Sequence, residues 1–548
     1  MERQACFTVK GKPFFSLGGQ THNSSSYFPL DMARSFDSVK KLGGNTVATP
    51  IPWDRFEPWE GVYDESYVKS VIDQARKWEV RLILLWFGTW KNGTMEYAPQ
   101  WIKTNPERFP RTMCPDGSPT AVLSCHAESN RAADEAAFCH LMQILREYDG
   151  DTQTVIAVQV ENEPGILGPV RRDFGPDGTR DFSAQVPERL IAYAKAYPDS
   201  RLNGFRMKAG GLEAGTWTEV FGRYGAEACS AWHTARYIDS IAAAGKAEYN
   251  LFLYANAWLD GGCQGDGWDL GGLEYPCGGA VSKSLDVWYA ACEALDVIAP
   301  DIYAGEPERH LENQEIYANA AQGWPLYVPE SHAAGLNATM MFHAIGKLGA
   351  IGYHVFGCES SLDGDGNLTE QAQPMARSMH MVAAVQTLIQ AHRASGRMHA
   401  LLQKPGQAGA HLELPGWKCK VCYQGTGEGW NAMDFRHHDA IREETVPVTD
   451  VQAETARGLL FQVSENEFYL VGHKLRLLFH RPEAVDGSIP AIWMSPGHQA
   501  NAMGTLIIEE GEFVNGAFVA KRVRSGDEAR HGIWAQADCG VIRFVLCD

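Results

Sequence analysis

The run Val80–Trp86, VRLILLW, decides the reading of the fold. Apart from Arg81 it is apolar without a break. A strand with one face in water alternates apolar and polar side chains, whereas a strand covered on both faces does not, and covered strands are the texture of a parallel sheet under helices. Just before it, Tyr67, Val71, Ala75 and Trp78 recur at three- and four-residue spacing and trace a helix face. Further upstream lies a second short run, Asn45–Ile51 (NTVATPI). Ahead of it comes a helix marked by Met32, Phe36, Val39 and Leu42 that stops at Gly43-Gly44. Phe14–Gly19 (FFSLGG) is the first run. Downstream the alternation continues. A helix around Asp134–Tyr148 leads to Val155–Val160, and helices around Pro187–Tyr197 and Cys229–Ala244 lead to Leu251–Ala255. Ser284–Leu295 leads to Val297–Tyr303, a short helix to Pro325–Pro329, and Asn337–Lys347 to Ile351–Gly357. A last helix follows at about Gln371–Ser395. Eight strand–helix units predict an α/β fold, a closed (β/α)₈ TIM barrel over residues 1–395. The alternative, a doubly wound open sheet, more often carries a Gly-rich phosphate loop after its first strand, and Gly18-Gly19-Gln20 is no such fingerprint.

From residue 396 the texture changes. LLFQVSENEFYLVG, KLRLLF and GVIRFVLCD alternate at period two between turn residues, which predicts a C-terminal antiparallel β-sandwich-like domain over 396–548. Two insertions, Lys91–Asn130 and the Gly-dense Asp260–Ser282, leave the C-terminal ends of strands three and five, the functional face of such a barrel.

The chain has 548 residues, 45% hydrophobic and 21% charged, with a net charge of −19. That balance argues against nucleic acid, since there is no basic surplus to neutralise phosphate. The 16 Trp suit stacking on the apolar faces of sugars, though a large core uses Trp as well. The N-terminus shows no secretory signal, and no run approaches the roughly 20 apolar residues of a membrane span. The 13 Cys are odd in number and scattered, as expected of reduced thiols, so a cytoplasmic location is the expectation. Cys419-Lys420-Val421-Cys422 reads as two same-register strand or turn cysteines rather than zinc ligands, and Cys114 and Cys125 lack obvious partners. No metal and no cofactor is expected, nor a phosphate loop or nucleophile elbow.

Chemistry on a barrel belongs at strand C-terminal ends. Two acids stand there behind apolar strands. Glu163 follows strand four in VIAVQVENEPG, and Glu330 follows strand seven in PLYVPESHA. Two carboxyl groups are what glycoside hydrolysis needs, one to protonate the leaving oxygen and one to attack or to activate water. The competing readings are a loop cap for Asn162–Glu163 and an ion-paired rim carboxylate for Glu330. Alternation puts Glu161 on the same side as Glu163, with Glu163 further out.

An Asn-Glu-Pro after strand four with a Glu after strand seven resembles the large clan of retaining (β/α)₈ glycosidases. More narrowly, the chain resembles bacterial β-galactosidase-like proteins related to glycoside hydrolase families 35 and 42. The matching stretches are Gly18–Ser25 (GGQTHNSS), Thr46–Asp64, Leu82–Gly93, Gln159–Gly165, Ala299–Tyr303 and Tyr327–Ser331. The resemblance implies Glu163 as acid/base, Glu330 as nucleophile, Asn162 on the sugar 2-hydroxyl and Tyr303 donating to Glu330. Where family 35 relatives often carry an acid before the strand-one His, this chain has Gln20, which puts strict galactose specificity in doubt. His22 and Asn23 past strand one, Trp53, Trp86 and Trp90 near strands two and three, Asn256 and Trp258 on strand five, and Phe356 and Glu359 at strand eight are further sugar-contact candidates. Core packing competes for each Trp.

The expectation is a retaining exo-β-glycosidase of β-galactosidase type acting on a terminal β-glycoside, with a homo-oligomer as the expected assembly. β-Glucoside, β-fucoside and β-arabinopyranoside specificity stay open. So does an idle carbohydrate-binding protein on the same fold, against which the presence of both acids argues. A metal-dependent hydrolase would need more strand-end ligands than His22, His332 and His354 supply.

Overall fold

The computed structural model describes residues 3–260, 271–393, 395–407, 409–423, 454–480, 504–526, 529 and 532–547. The insertion expected at Asp260–Ser282 therefore lies largely outside the described residues, since 261–270 are not among them.

Eight parallel strands form one sheet. They are β1 (Ser16–Gln20), β2 (Thr46–Pro52), β3 (Arg81–Lys91), β4 (Val155–Asn162), β5 (Phe252–Trp258), β6 (Val297–Ile302), β7 (Glu330–Ser331) and β8 (Gly352–Phe356). Their order is β7-β6-β5-β4-β3-β2-β1-β8. A parallel bridge from Val328 to Tyr353 joins the two ends, so the sheet closes into a barrel. The principal outer helices follow the strands in turn: α1 (Pro29–Leu42), α2 (Glu65–Lys77), α3 (Glu128–Asp149), α4 (Gly225–Glu248), α5 (Leu285–Ala291), α6 (Pro307–Tyr317), α7 (Gly335–Gly346) and α8 (Gln373–Ala384).

Period-two alternation sorts the barrel's side chains into two layers. Ile83, Leu85 and Phe87 of β3 cluster with Ala48, Phe252, Tyr254, Val297, Ala299 and Tyr327 inside the barrel. Phe7 joins them at the N-terminal ends of the strands, its ring 4.5 Å from that of Phe252. The alternate residues Leu82, Leu84 and Trp86 face outward into the helix-packed core.

The expected seventh strand, Pro325–Pro329, is not a regular strand. Pro325 and Pro329 have no N–H to give a ladder, so regular pairing starts only at Glu330, where Asp301 and Ile302 pair with Glu330 and Ser331.

Behind the barrel lie two antiparallel sheets. The larger has the order β9 (Met398–Leu402), β12 (Arg457–Gln462), β13 (Glu467–His473), β18 (Val541–Leu546), β15 (Thr505–Val514), β16 (Ala517–Val523). The smaller runs β10 (Gly409–Leu414), β11 (Trp417–Tyr423), β14 (Leu475–His480), β17 (Ile533–Ala535). Leu470, Phe468, Ile542 and Phe544 of the first share one buried cluster with Cys419, Val421, Leu477 and Phe479 of the second, which makes the pair a sandwich. Cys419 and Cys422 are both on β11, but not in the same register. Their three-residue spacing turns Cys419 into the core and leaves Cys422 half-buried on the other face.

Candidate functional site

The site is assembled at the C-terminal ends of β1 and of β3 to β8, and its shape begins with an irregularity. β3 and β4 pair in register from Ile83↔Ala157 to Trp86↔Val160, then resume at Lys91↔Asn162. The four residues between them, Phe87–Trp90, bulge away from the ladder. Beside the bulge, Glu161 and Glu163 both hold positive φ, 66° and 46°. Non-glycine residues there cost of order 1–3 kcal/mol and persist only where the surroundings enforce them. The enforcement is visible. Glu161 accepts from the N–H groups of Thr89 (3.1 Å) and Trp90 (2.6 Å), and Asp134 on α3 accepts from Trp86 Nε1 (2.8 Å) and Thr89 Oγ1 (2.7 Å). This irregularity overturns the expectation that Glu161 and Glu163 share a side. Glu161 is fully buried against Thr89, Trp90 and Asp134, and burial beside Asp134 holds its carboxyl well above the usual range.

Glu163 instead reaches a cavity of about 340 Å³ lined by Asn23, Lys91, Asn92, Glu163, Trp258, Asp301, Tyr303, Glu330 and Phe356. That volume is in the range of small-ligand sites. Oxygens of Glu163, Asp301 and Glu330 lie within 4.8 Å of one another. Burial, and then the charge of Glu330, push the Glu163 carboxyl up to about 7. Glu330 accepts from Tyr303 Oη (2.7 Å) and Gln20 Nε2 (2.6 Å). Asn256 holds the opposite wall, its Oδ1 accepting from the Glu163 N–H (2.8 Å) and its Nδ2 donating to Asp301 Oδ2 (2.7 Å). Lys91 Nζ donates to Asn162 Oδ1 (2.8 Å), while Asn162 Nδ2 is buried and has no partner among the described residues.

The structure thus gathers Glu163, Glu330, Asn162, Tyr303, Gln20, Asn23, Asn256, Trp258 and Phe356 around one cavity. His22 stands at its edge, its ring edge-on to Phe356 and its Nε2 bonded to Ser360 Oγ (2.9 Å). Four expected residues lie elsewhere. Trp86 points outward because alternation on β3 sends the even positions to the helices, where its indole N–H meets Asp134. Trp53 is not on a strand but opens a one-turn helix, fully buried, with its N–H on Glu57 Oε2 (2.7 Å). The Glu359 carboxylate accepts from Ser35 Oγ (2.6 Å) and the His22 N–H, which ties α1 to the loop after β1 rather than facing the cavity. Trp90 is buried edge-on to Tyr237. Sequence reasoning missed Asp301 and Lys91. Asp301 was findable, since it stands two residues before Tyr303 and period two puts both on one side. Lys91 was not, because only the bulge brings it to the cavity.

Among the described residues, two groups gather metal-ligating atoms: the three carboxyls above, and His126, Asp181 and His233 on the outer side of the fold. In the second group His126 Nδ1 already pairs with Asp181 Oδ2 (2.8 Å), whose other oxygen receives Arg180. No helix among the described residues is long and apolar enough to cross a membrane.

Residues 29–195 match the glycoside hydrolase family 42 model, described as beta-galactosidase, and residues 375–536 match a domain of unknown function, DUF5597. The chain is 31% identical over 175 residues to mouse beta-galactosidase-1-like protein 3, covering 30% of this chain and 24% of that protein. It therefore spans about a quarter of the length of the curated relatives it matches. Solved structures of similar shape include a β-galactosidase from the haloarchaeon Halorubrum lacusprofundi (TM-score 0.43, 16% identity, 67% of this chain and 58% of that one). Another is the catalytic domain of a β-amylase from Paenibacillus polymyxa (TM-score 0.48, 12% identity, 67% of this chain and 98% of that one).

Proposed function

We propose that the chain, whose residues 29–195 match the glycoside hydrolase family 42 model and whose residues 375–536 match DUF5597, is a retaining exo-β-glycosidase of galactosidase type. The observation that carries the reading is the spacing of Glu163 and Glu330. One oxygen of each lies within 4.8 Å of one oxygen of the other, close enough for both carboxyls to reach a single anomeric carbon. Retaining enzymes hold the two carboxyls about 5–5.5 Å apart, and inverting ones about 6.5–9.5 Å apart to admit a water between carboxylate and sugar.

Glu163 is the acid/base. With its carboxyl raised to about 7, it is largely protonated at slightly acidic pH and gives that proton to the leaving oxygen as the glycosidic bond breaks. Glu330 is the nucleophile. Tyr303 and Gln20 aim its carboxylate by donating to both oxygens, and one oxygen bonds the anomeric carbon to form a glycosyl–enzyme. Glu163, now ionised, takes a proton from the water that releases the sugar, so two inversions leave the configuration retained. Asn162 Nδ2, buried and without a partner among the described residues, is the donor for the sugar 2-hydroxyl, and Trp258 and Phe356 are its apolar walls. The barrel over 1–395 is the catalytic unit in this reading, and the β-rich unit over 396–548 a support.

A panel of aryl α- and β-glycosides tests the proposal on wild type, Glu163→Gln and Glu330→Gln. Cleavage of one β-glycoside, with both variants down by about 10²-fold or more, supports it and names the sugar. Binding without cleavage by wild type would favour an idle binder, and full rate in either variant would remove that residue from its role.

A further inference from the structure

The cavity holds one carboxyl more than a double displacement uses. Asp301 ends β6 on the same side as Tyr303 and is buried at 3% exposure. Its Oδ2 accepts from Asn256 Nδ2 at 2.7 Å, whereas Oδ1, enclosed by protein, has no donor among the described residues. A carboxylate oxygen in that position is costly, because burial without a donor penalises the charge. A carboxylic acid is not, since its O–H is itself a donor and the neighbouring oxygens are acceptors. Asp301 faces Glu163 from β4, Glu330 from β7, Lys91 from β3, Tyr303 from the end of its own strand, and Tyr254 and Tyr327 from below. One lysine does not balance three carboxylates at this range, and Tyr303 and Gln20 are both committed to Glu330.

We propose that Asp301 stays protonated through the reaction and donates from Oδ1 to the Glu163 carboxyl group, as a positioning residue that stabilises the carboxylate Glu163 becomes when its proton leaves. The inference rests on Glu163 acting as acid/base. The step balances without moving the Asp301 proton. The Glu163 O–H breaks and its proton goes to the leaving oxygen; the glycosidic bond breaks and the Glu330–anomeric carbon bond forms. The Asp301 O–H remains and strengthens its hydrogen bond to the new Glu163 anion. In the second half-reaction the same bond keeps that anion aimed as base. Consistent with this, burial and the charges of Glu330 and Glu163 raise the Asp301 carboxyl well above its usual range. Asn256 completes the device by fixing the Glu163 backbone with one end of its amide and Asp301 with the other.

The test compares Asp301→Asn, a neutral donor of the same shape, with Asp301→Leu, which has no donor. Asp301→Asn is expected to keep kcat within roughly tenfold of wild type with its pH profile in place. Asp301→Leu should lose about 10²-fold or more, most with poor leaving groups, and its basic limb should move to higher pH because the group that stabilised the Glu163 anion is gone. Infrared difference spectra of the full chain at neutral pH read the proton without catalysis. A protonated-carboxyl band present in wild type and missing in Asp301→Asn supports the inference. Absence of that difference, or an Asp301→Asn variant as impaired as Asp301→Leu, overturns it. A wild type that cleaves no glycoside would defeat the functional reading, while the band would still decide whether Asp301 carries a proton.

Discussion

Glu163 has a burden that its position in the sequence could not show. Its carboxyl is buried beside Glu330, and the charged form is disfavoured until the pH reaches about 7. The acid must be protonated to work, so kcat/KM should fall as pH rises through about 7. A pH–rate profile checks this, and a basic limb starting only above pH 9 would contradict it. The same shift acts on stability. The folded value lies above the unfolded one, so the folded state loses stability as pH rises from the unfolded value near 4.5 to about 7, by at most about 3 kcal/mol. Glu163→Gln should therefore raise Tm at pH 8 and leave it nearly unchanged at pH 4. Equal effects at both pH values would mean that Gln acts through packing instead. At this scale the sequence was legible where strand ends announce themselves. Glu163, Glu330 and Tyr303 were readable because apolar runs precede them. Trp86 was misplaced because an indole on a strand was read without asking which side alternation gives it, and Trp53 because a one-turn helix begins where the strand was read to end.

The β3–β4 bulge is the element on which the site depends. It converts a strand that would end at Trp86 into one that returns at Lys91 beside Asn162. Gly88 lies in its middle, and a Cβ there would stand 2.4 Å from Trp86 Nε1, 2.6 Å from Glu161 Oε1 and 2.8 Å from Asp134 Oδ1. None of these atoms can retreat without breaking the hydrogen bonds that hold Glu161 and, through it, the positive φ at Glu163. Gly88→Ala should cost about 1–3 kcal/mol in urea unfolding and lower kcat with little change in the fold. Wild-type stability in that variant would mean that the bulge relaxes freely. A bulge of this kind is poorly legible in sequence, since FGTWK reads as continued strand, and its consequence for Glu161 was misread accordingly.

Over the whole molecule, the barrel and the sandwich are joined through α7, α8 and the first strands of the larger sheet. Arg457 on β12 is fully buried, donating to Ser378 Oγ (2.5 Å), the Pro374 carbonyl (2.9 Å) and Glu454 (2.7 Å), and Glu454 also receives Arg377. Arg457→Ala leaves Glu454 short of a buried partner and should cost about 3–5 kcal/mol. Calorimetry should then show the unfolding transition lowered or split, while kcat per folded molecule holds. An unshifted transition would mean that the junction contributes little. The architecture at this scale was the most legible part of the chain. Eight alternations of apolar run and amphipathic helix leave few other topologies, and a switch to period two marks where they stop. The exception is β7, where two prolines shorten the ladder to Glu330–Ser331.

In the proposed reaction Glu330 attacks the sugar while Glu163 handles the proton. Incubation with a 2-deoxy-2-fluoro β-glycoside bearing a good leaving group, followed by peptide mass mapping, tests it most directly, because fluorine slows release of the glycosyl–enzyme more than its formation. One added sugar per chain is expected, carried by Glu330 and absent from Glu330→Gln. A label on another residue would contradict it, as would turnover of the parent glycoside with an α-configured first product and no label at all.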